Sequence, residues 1–66
     1  MDYSVYEQGQ QQGIIDGKQW KSWKSPHGEV KFQGWRGFSE KVMPHPDYQD
    51  LVEKVIANYF HKMIAK

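Results

Sequence analysis

The spacing of hydrophobic residues divides the chain into three stretches. In the first, residues 1–13, Tyr3, Val5 and Tyr6 precede the polar run Glu-Gln-Gly-Gln-Gln-Gln-Gly, which has no apolar side chain to bury. Such a run cannot offset the conformational entropy that is lost on ordering. The sequence therefore predicts a flexible N-terminal tail over residues 1–13 and a single small domain over residues 14–66.

Short apolar runs separated by turn residues predict a three-strand antiparallel meander, with strands at about residues 14–15, 19–24 and 29–33. Asp16-Gly17 tolerates positive φ and is a strong hairpin signal between the first two strands. The segment Ser25-Pro26-His27-Gly28 fits a type I turn between the second and third. Because two glycines, Gly34 and Gly37, follow closely, a loop through Pro44 is expected after the third strand.

The last third of the chain has the strongest periodic signal. Pro46 suits the first position of a helix, and acidic residues near its start and lysines near its end complement the helix dipole. This predicts a helix over about residues 46–65. Its apolar residues recur at three- and four-residue spacing on one stripe: Tyr48, Leu51, Val52, Val55, Ile56, Tyr59, Phe60, Met63 and Ile64.

A wide apolar stripe needs a partner, and the sheet is the nearest one. The predicted fold class is therefore α+β, a small antiparallel sheet packed against one C-terminal amphipathic helix. Nine apolar side chains can exceed what one small sheet covers, so a partial pairing of this helix with a second copy is also open. We expect a monomer or a weak homodimer.

Two tryptophans in the second strand face opposite sides, because side chains three residues apart on a strand alternate. A two- or four-residue connection to the third strand pairs Trp23 with Val30, which buries Trp23 beside Phe32 and leaves Trp20 outside. A three-residue connection reverses the two. Either register leaves one tryptophan facing outward among lysines.

Composition limits the classes of function. Sixty-six residues form at most one domain, and the absence of Cys excludes disulfides, thiol nucleophiles and thiolate zinc sites. His27, His45 and His61 stand at no ligand spacing, so neither a metal site nor a cofactor is predicted. No Ser-His-Asp order, carboxylate pair or phosphate-binding glycine loop is present, which indicates a protein that is not an enzyme.

No targeting or membrane signal is visible in the sequence. Residues 1–20 lack the basic start and the apolar run of a signal peptide, and no transmembrane stretch follows. Together with the absence of Cys, this predicts a cytoplasmic protein without a membrane partner.

Charge is distributed unevenly, although the net charge is only +1. Residues 1–16 carry −3, residues 17–42 carry +4 and residues 43–66 balance, and all three tryptophans lie in the basic middle. An outward Trp between lysines suits a nucleic acid strand, since the ring stacks on bases and the ammonium groups neutralise phosphates. Tryptophan is equally typical of protein interfaces.

We therefore expect a small binding protein. The first hypothesis is a nucleic-acid-binding accessory or regulatory protein, with DNA or RNA as its partner. The alternative is a protein–protein interaction module, such as a small inhibitor or adaptor, that uses the same aromatic surface. The candidate contact residues for both are Trp20, Lys21, Trp23, Lys24, Lys31, Trp35 and Arg36.

Overall fold

The computed structural model describes residues 2–64, with side chains as far as His61. The predicted α+β class is confirmed: a three-strand antiparallel sheet is combined with a long C-terminal helix and further helices. In chain order the elements are α1 (Asp2–Gln11), β1 (Ile15–Gly17), β2 (Lys21–Ser25), β3 (Gly28–Phe32), α2 (Gly34–Gly37), which continues into a π-helical turn (Phe38–Val42), and α3 (Tyr48–Ile64).

The sheet is a meander in the order β1-β2-β3, and its register decides which tryptophan is buried. Only Pro26 and His27 connect β2 to β3, so that Ser25 pairs with Gly28 and Trp23 with Val30. Trp23 also lies opposite Ile15 of β1 and is only 3% exposed. Of the two registers that the sequence leaves open, the structure has the one with a two-residue connection, and Trp23 belongs to the core.

The N-terminal segment forms helix α1, where its composition predicts a flexible tail. Val5, Tyr6 and Gly9 lie on one helical face and are buried. Gly9 allows Ile15 to pack on the helix, because a Cβ at this position would lie 2.7 Å from Ile15 Cδ1. Glutamine and glutamate are good helix formers, so a short apolar face is enough to dock this polar segment.

Both ends of α1 are tied to α3 by hydrogen bonds. Tyr48 Oη donates to Asp2 Oδ1 at 2.8 Å, and Gln12 Nε2, just after α1, donates to the carbonyl of Val55 at 3.1 Å. Burial raises the pKa of Tyr48 well above its ordinary value, and the hydrogen bond to Asp2 adds to this effect. The two helices therefore run side by side.

The segment after β3 is helical, where two glycines predict a loop. Phe38 and Val42 stand four residues apart and are fully buried, which gives this segment an apolar side to pack. Gly37 permits the close approach, since a Cβ there would lie 3.1 Å from Phe32 Cβ. The conformational freedom of glycine predicts a loop here. In the structure it is the small size of Gly37 that matters, because it lets the helical segment pack closely on Phe32.

Helix α3 begins at Tyr48, two residues later than the predicted start at Pro46. The carbonyl of Asp47 accepts the amide protons of Asp50 and Leu51 at 3.0 and 3.4 Å, which starts the helix. Leu51 and Val55 are buried, whereas Ile56, Tyr59 and Phe60 are exposed. The side chains of Met63 and Ile64 lie outside the described part. The sheet and α1 therefore cover only the first half of the predicted stripe.

One aromatic side chain, Phe38, connects the parts of the core. It is fully buried, and its ring lies within 6 Å of the rings of Tyr6 in α1, Phe32 in β3 and Tyr48 in α3. The remaining members of the buried cluster are Val5, Ile15, Trp23, Val42, Leu51 and Val55. Three layers of secondary structure thus meet on a single ring.

Replacing Phe38 by Ala should lower the free energy of unfolding by about 3–5 kcal/mol, because a large cavity would form in the centre of the core. A single small core provides roughly this much stability in total, so we expect the variant to be mostly unfolded at 25 °C. Urea denaturation followed by circular dichroism measures the loss. Lys41→Ala, at an exposed position of the same π-helical turn, should change stability by less than about 0.5 kcal/mol. A cooperative wild-type transition for Phe38→Ala would contradict the central role of this ring.

Candidate nucleic-acid interface

The β1–β2 connection presents Trp20 to solvent. Lys18, Gln19 and Trp20 connect Gly17 to Lys21, the last pair of the β1–β2 ladder. Gly17 has φ of +101°, and a Cβ there would lie 2.1 Å from the carbonyl oxygen of Trp20. Only glycine fits such a position. At 59% exposure, Trp20 is the most exposed large hydrophobic residue in the described part of the chain.

Two lysines, Lys18 and Lys21, stand close to this tryptophan in the sequence, and we call residues 17–21 the Trp20 loop. Lys21 Nζ donates to the carbonyl of Lys18 at 3.0 Å, which holds the Lys21 ammonium group against the loop. Lys31 is exposed in β3, opposite Ser22, which is two residues beyond Trp20. Lys18 is exposed as well. Lys18 and Lys21 therefore share the loop with the exposed ring of Trp20, whereas Lys31 belongs to the outer face of the adjoining sheet.

The rest of the outer sheet face is mixed in charge. Lys24 stands opposite Glu29, and Asp16 stands opposite Ser22. The Ser22 hydroxyl donates to the Glu29 carboxylate, which keeps this acid on the same face. Lys24 therefore faces an acidic neighbour, and the basic character is concentrated at the Trp20 loop.

The other predicted contact residues, Trp23, Trp35 and Arg36, do not lie in the Trp20 loop. Trp23 is buried against Ile15 and Val30 and cannot contact a partner, which corrects its place among the candidates. Trp35 joins Tyr3 of α1 at a ring-centre distance of 5.1 Å and stacks on Phe38 at 5.6 Å. Its neighbour Arg36 is exposed and forms an ion pair with Glu40 at 3.4 Å. We call Tyr3, Trp35 and Arg36 the aromatic surface.

A cluster of two histidines and one aspartate lies at the β2–β3 turn. The positions of these histidines in the sequence predict only that they are exposed to solvent. His27 Nδ1 donates to the buried carboxylate of Asp47, with oxygen distances of 2.8 and 3.0 Å. His45 Nδ1 accepts the amide proton of Asp47 at 3.0 Å, and its ring lies edge-on to Trp23. The turn is thereby fastened to the residue that starts α3. Twenty residues separate His27 from Asp47, so no local spacing signal could reveal this contact.

The pKa values of this pair move in opposite directions. The hydrogen bond and the negative charge of Asp47 raise the pKa of His27 above its ordinary 6.5. The hydrogen bond from His27 lowers the pKa of Asp47 below its ordinary 3.8, although burial acts in the other direction. Both shifts indicate that the folded state favours the charged pair.

Within residues 2–64, no group of three or more histidine and carboxylate side chains is arranged to hold a metal ion. Within the same part of the chain, no helix has both the length and the apolar character to cross a bilayer.

Comparison with known proteins provides no relative for this chain. No protein-family model matches it, and neither curated proteins nor solved structures include one with significant similarity.

The His27–Asp47 pair should contribute most to thermal stability between about pH 4 and pH 6.5, because both groups are charged there. The contribution of His27 is fully present below the ordinary histidine pKa and is lost as the pH rises through the raised value. The contribution of Asp47 is present above the ordinary carboxyl pKa and is lost as the pH falls through the lowered value. Melting temperatures from pH 3 to pH 9 measure this profile.

The matched variants are His27→Gln, which removes the pair, and His61→Gln, which removes an exposed histidine of α3. The first should flatten the decline of melting temperature above pH 6.5, and the second should keep it. If both variants retain the wild-type profile, the pair does not contribute to stability.

Proposed function

We propose that this protein binds single-stranded nucleic acid through the Trp20 loop, as a non-enzymatic accessory or regulatory protein. The observation that supports the proposal is the exposure of Trp20 on a loop that Gly17 shapes, with Lys18 and Lys21 on either side. A tryptophan that is this exposed adds little to the core, so its large apolar ring is available to a ligand. We place the activity in the cytoplasm, which agrees with the absence of Cys.

The chemistry of the loop favours a single strand over a duplex. An exposed indole ring stacks on an unpaired base, a contact worth about 1–3 kcal/mol for any base type. The ammonium groups of Lys18, Lys21 and Lys31 can each neutralise one backbone phosphate. Because the acids Asp16 and Glu29 occupy the neighbouring sheet face, we expect no more than about three phosphate contacts and a modest affinity.

Binding should show both a stacking and an electrostatic component. Trp20→Ala should weaken binding of a fluorescein-labelled oligonucleotide by about 5- to 150-fold, whereas Trp20→Phe should retain most of the affinity. With three phosphate contacts, wild-type affinity should fall roughly 20-fold between about 50 mM and 200 mM salt. Fluorescence anisotropy with mixed-sequence single-stranded and double-stranded DNA and with single-stranded RNA measures these effects.

The control separates the loop from general charge. Lys18→Glu with Lys21→Glu should abolish binding, whereas Lys41→Glu, which changes charge on the π-helical turn, should reduce it less than about threefold. The proposal fails if Trp20→Ala binds as well as wild type, or if neither DNA nor RNA is bound at the lower salt concentration.

A second candidate function is protein recognition by the aromatic surface. Tyr3 is 52% exposed and Trp35 is 38% exposed, and their rings meet edge to face beside Arg36. Trp, Tyr and Arg are the residue types that dominate the energy of protein interfaces. This surface would suit a small inhibitor or adaptor.

If a protein partner binds there, Tyr3→Ser combined with Arg36→Ser should weaken its capture by at least about 30-fold, with little dependence on salt. Both side chains are exposed, so the fold should persist, and circular dichroism checks this. Gln11→Ser, at an exposed position of α1, is the matched control. Quantitative affinity capture that yields the same partners from both variants would exclude this surface.

A further inference from the structure

Strand β3 forms one edge of the sheet, and no further strand pairs with its outer side in the part of the chain that the structure describes. Ser25 and Gly28 close the β2–β3 hairpin as a hydrogen-bonded pair, and such pairs alternate along an antiparallel ladder. Val30 therefore directs its amide and carbonyl groups toward β2. Glu29 and Lys31, on either side of it, direct theirs away from the sheet.

These outward backbone groups are open to another strand. Within residues 2–64, no turn or loop backbone group and no side chain is hydrogen-bonded to them. Glu29 and Lys31 are both exposed. The opposite edge differs, because β1 has only three residues and Gly9 of α1 packs against Ile15, the first of them. The sheet can therefore be extended at β3.

The side chains of β3 determine which strand suits this edge. Glu29 and Lys31 lie on the outer sheet face, and among the described residues neither forms an ion pair. A matching antiparallel strand presents a basic residue opposite Glu29 and an acidic residue opposite Lys31. Read along its own direction, such a strand has the pattern Glu-x-Lys. This is the pattern of β3 itself.

We propose that β3 pairs with β3 of a second copy, antiparallel about a two-fold axis through Val30. In this register Glu29 of each copy lies opposite Lys31 of the other, and each of these pairs exchanges both of its backbone hydrogen bonds. The two Val30 side chains meet on the inner face as a non-hydrogen-bonded pair, in which side chains approach most closely. Pairing joins the two three-strand sheets into one.

Neighbouring registers are less favourable. A shift by one residue places outward-facing backbone groups opposite residues that bond to β2, so that the ladder cannot form. A shift by two residues places either Glu29 opposite Glu29 or Lys31 opposite Lys31, and like charges directly opposite each other are destabilising. The register centred on Val30 has attractive charges and also the longest overlap of the two five-residue strands.

The contact forms a weak and closed dimer. In strand addition the affinity comes from main-chain hydrogen bonds rather than from a large apolar area. Two strands of five residues cover less than the 800 Å² per partner, roughly, of a stable interface, so we expect a dissociation constant between about 100 µM and 1 mM. Because α1 packs against the short β1 edge, no further copies are added to the sheet.

A charge exchange tests the register. Glu29→Lys and Lys31→Glu should each weaken self-association at least about tenfold, because each places like charges opposite one another. An equimolar mixture of the two variants should recover the wild-type dissociation constant within about threefold, because every cross-strand pair is then attractive. Translational diffusion measured by NMR from about 50 µM to 2 mM reports the dissociation constants, and circular dichroism checks each fold.

The matched control changes the net charge by the same amounts at a distance from the sheet. Glu53→Lys and Lys54→Glu alter exposed positions of α3. Each should dimerise within about threefold of the wild type, and mixing them should bring no further gain. A mixture of the β3 variants that associates no better than either variant alone would overturn the proposal.

A cross-linking experiment tests the two-fold axis directly, since the wild-type chain has no Cys. Val30→Cys should form a disulfide-linked dimer under mild oxidation at about 1 mM, because the two side chains lie side by side at the axis. Lys24→Cys, exposed on the central strand, should cross-link at a much lower rate. Equal rates for the two variants, or a wild-type chain that stays monomeric at about 2 mM, would contradict this dimer. An unrelated extended peptide that binds β3 of a monomeric chain would also replace it.

Discussion

The packing of aromatic rings around Phe38 is the interaction on which the rest of this structure depends. A chain of 66 residues without Cys has neither a disulfide nor a large core to stabilise it, so each element must use the same few contacts. Tyr6, Phe32 and Tyr48 bring α1, β3 and α3 to this one ring. The aromatic surface extends from it as well, because Trp35 stacks on its outer side. A substitution of Phe38 is therefore expected to affect both the stability of the fold and the position of Trp35 in the aromatic surface.

The Trp20 loop, in contrast to the aromatic surface, does not depend on the packing around Phe38. Its geometry depends on Gly17 and on the hydrogen bond between Lys21 and the Lys18 carbonyl, both of which are local. A ligand could therefore reshape this loop without disturbing the core. The proposed binding loop and the core thus contain different aromatic residues, whereas Trp35 belongs to the aromatic surface and also packs on Phe38.

The sequence predicts some parts of this structure well because they follow from short-range rules. Strand alternation and the two-residue connection through Pro26 determine that Trp23 is inside, and helical periodicity identifies α3. The sequence does not predict the helical character of α1, whose polar composition indicates a flexible tail, nor that of residues 34–42, where two glycines indicate a loop. Gly9 and Gly37 matter instead for the close approach of Ile15 and Phe32, which only a three-dimensional structure reveals. For the same reason the contact between His27 and Asp47 could not be predicted, whereas the sequence does predict that one of Trp20 and Trp23 is exposed, without deciding which.

The way in which α1 closes the core has a consequence for how the chain folds during synthesis. Val5 and Tyr6 are buried together with Leu51 and Val55, and Asp2 is bonded to Tyr48. Some partners of α1 come soon after it in the chain, since Gly9 contacts Ile15 and Tyr6 contacts Phe38. The partner of Asp2 in α3 is made 46 residues later. On the ribosome, α1 and the sheet can therefore associate early, but α1 gains its full set of contacts only when α3 has left the exit tunnel, and folding is expected to finish at that point.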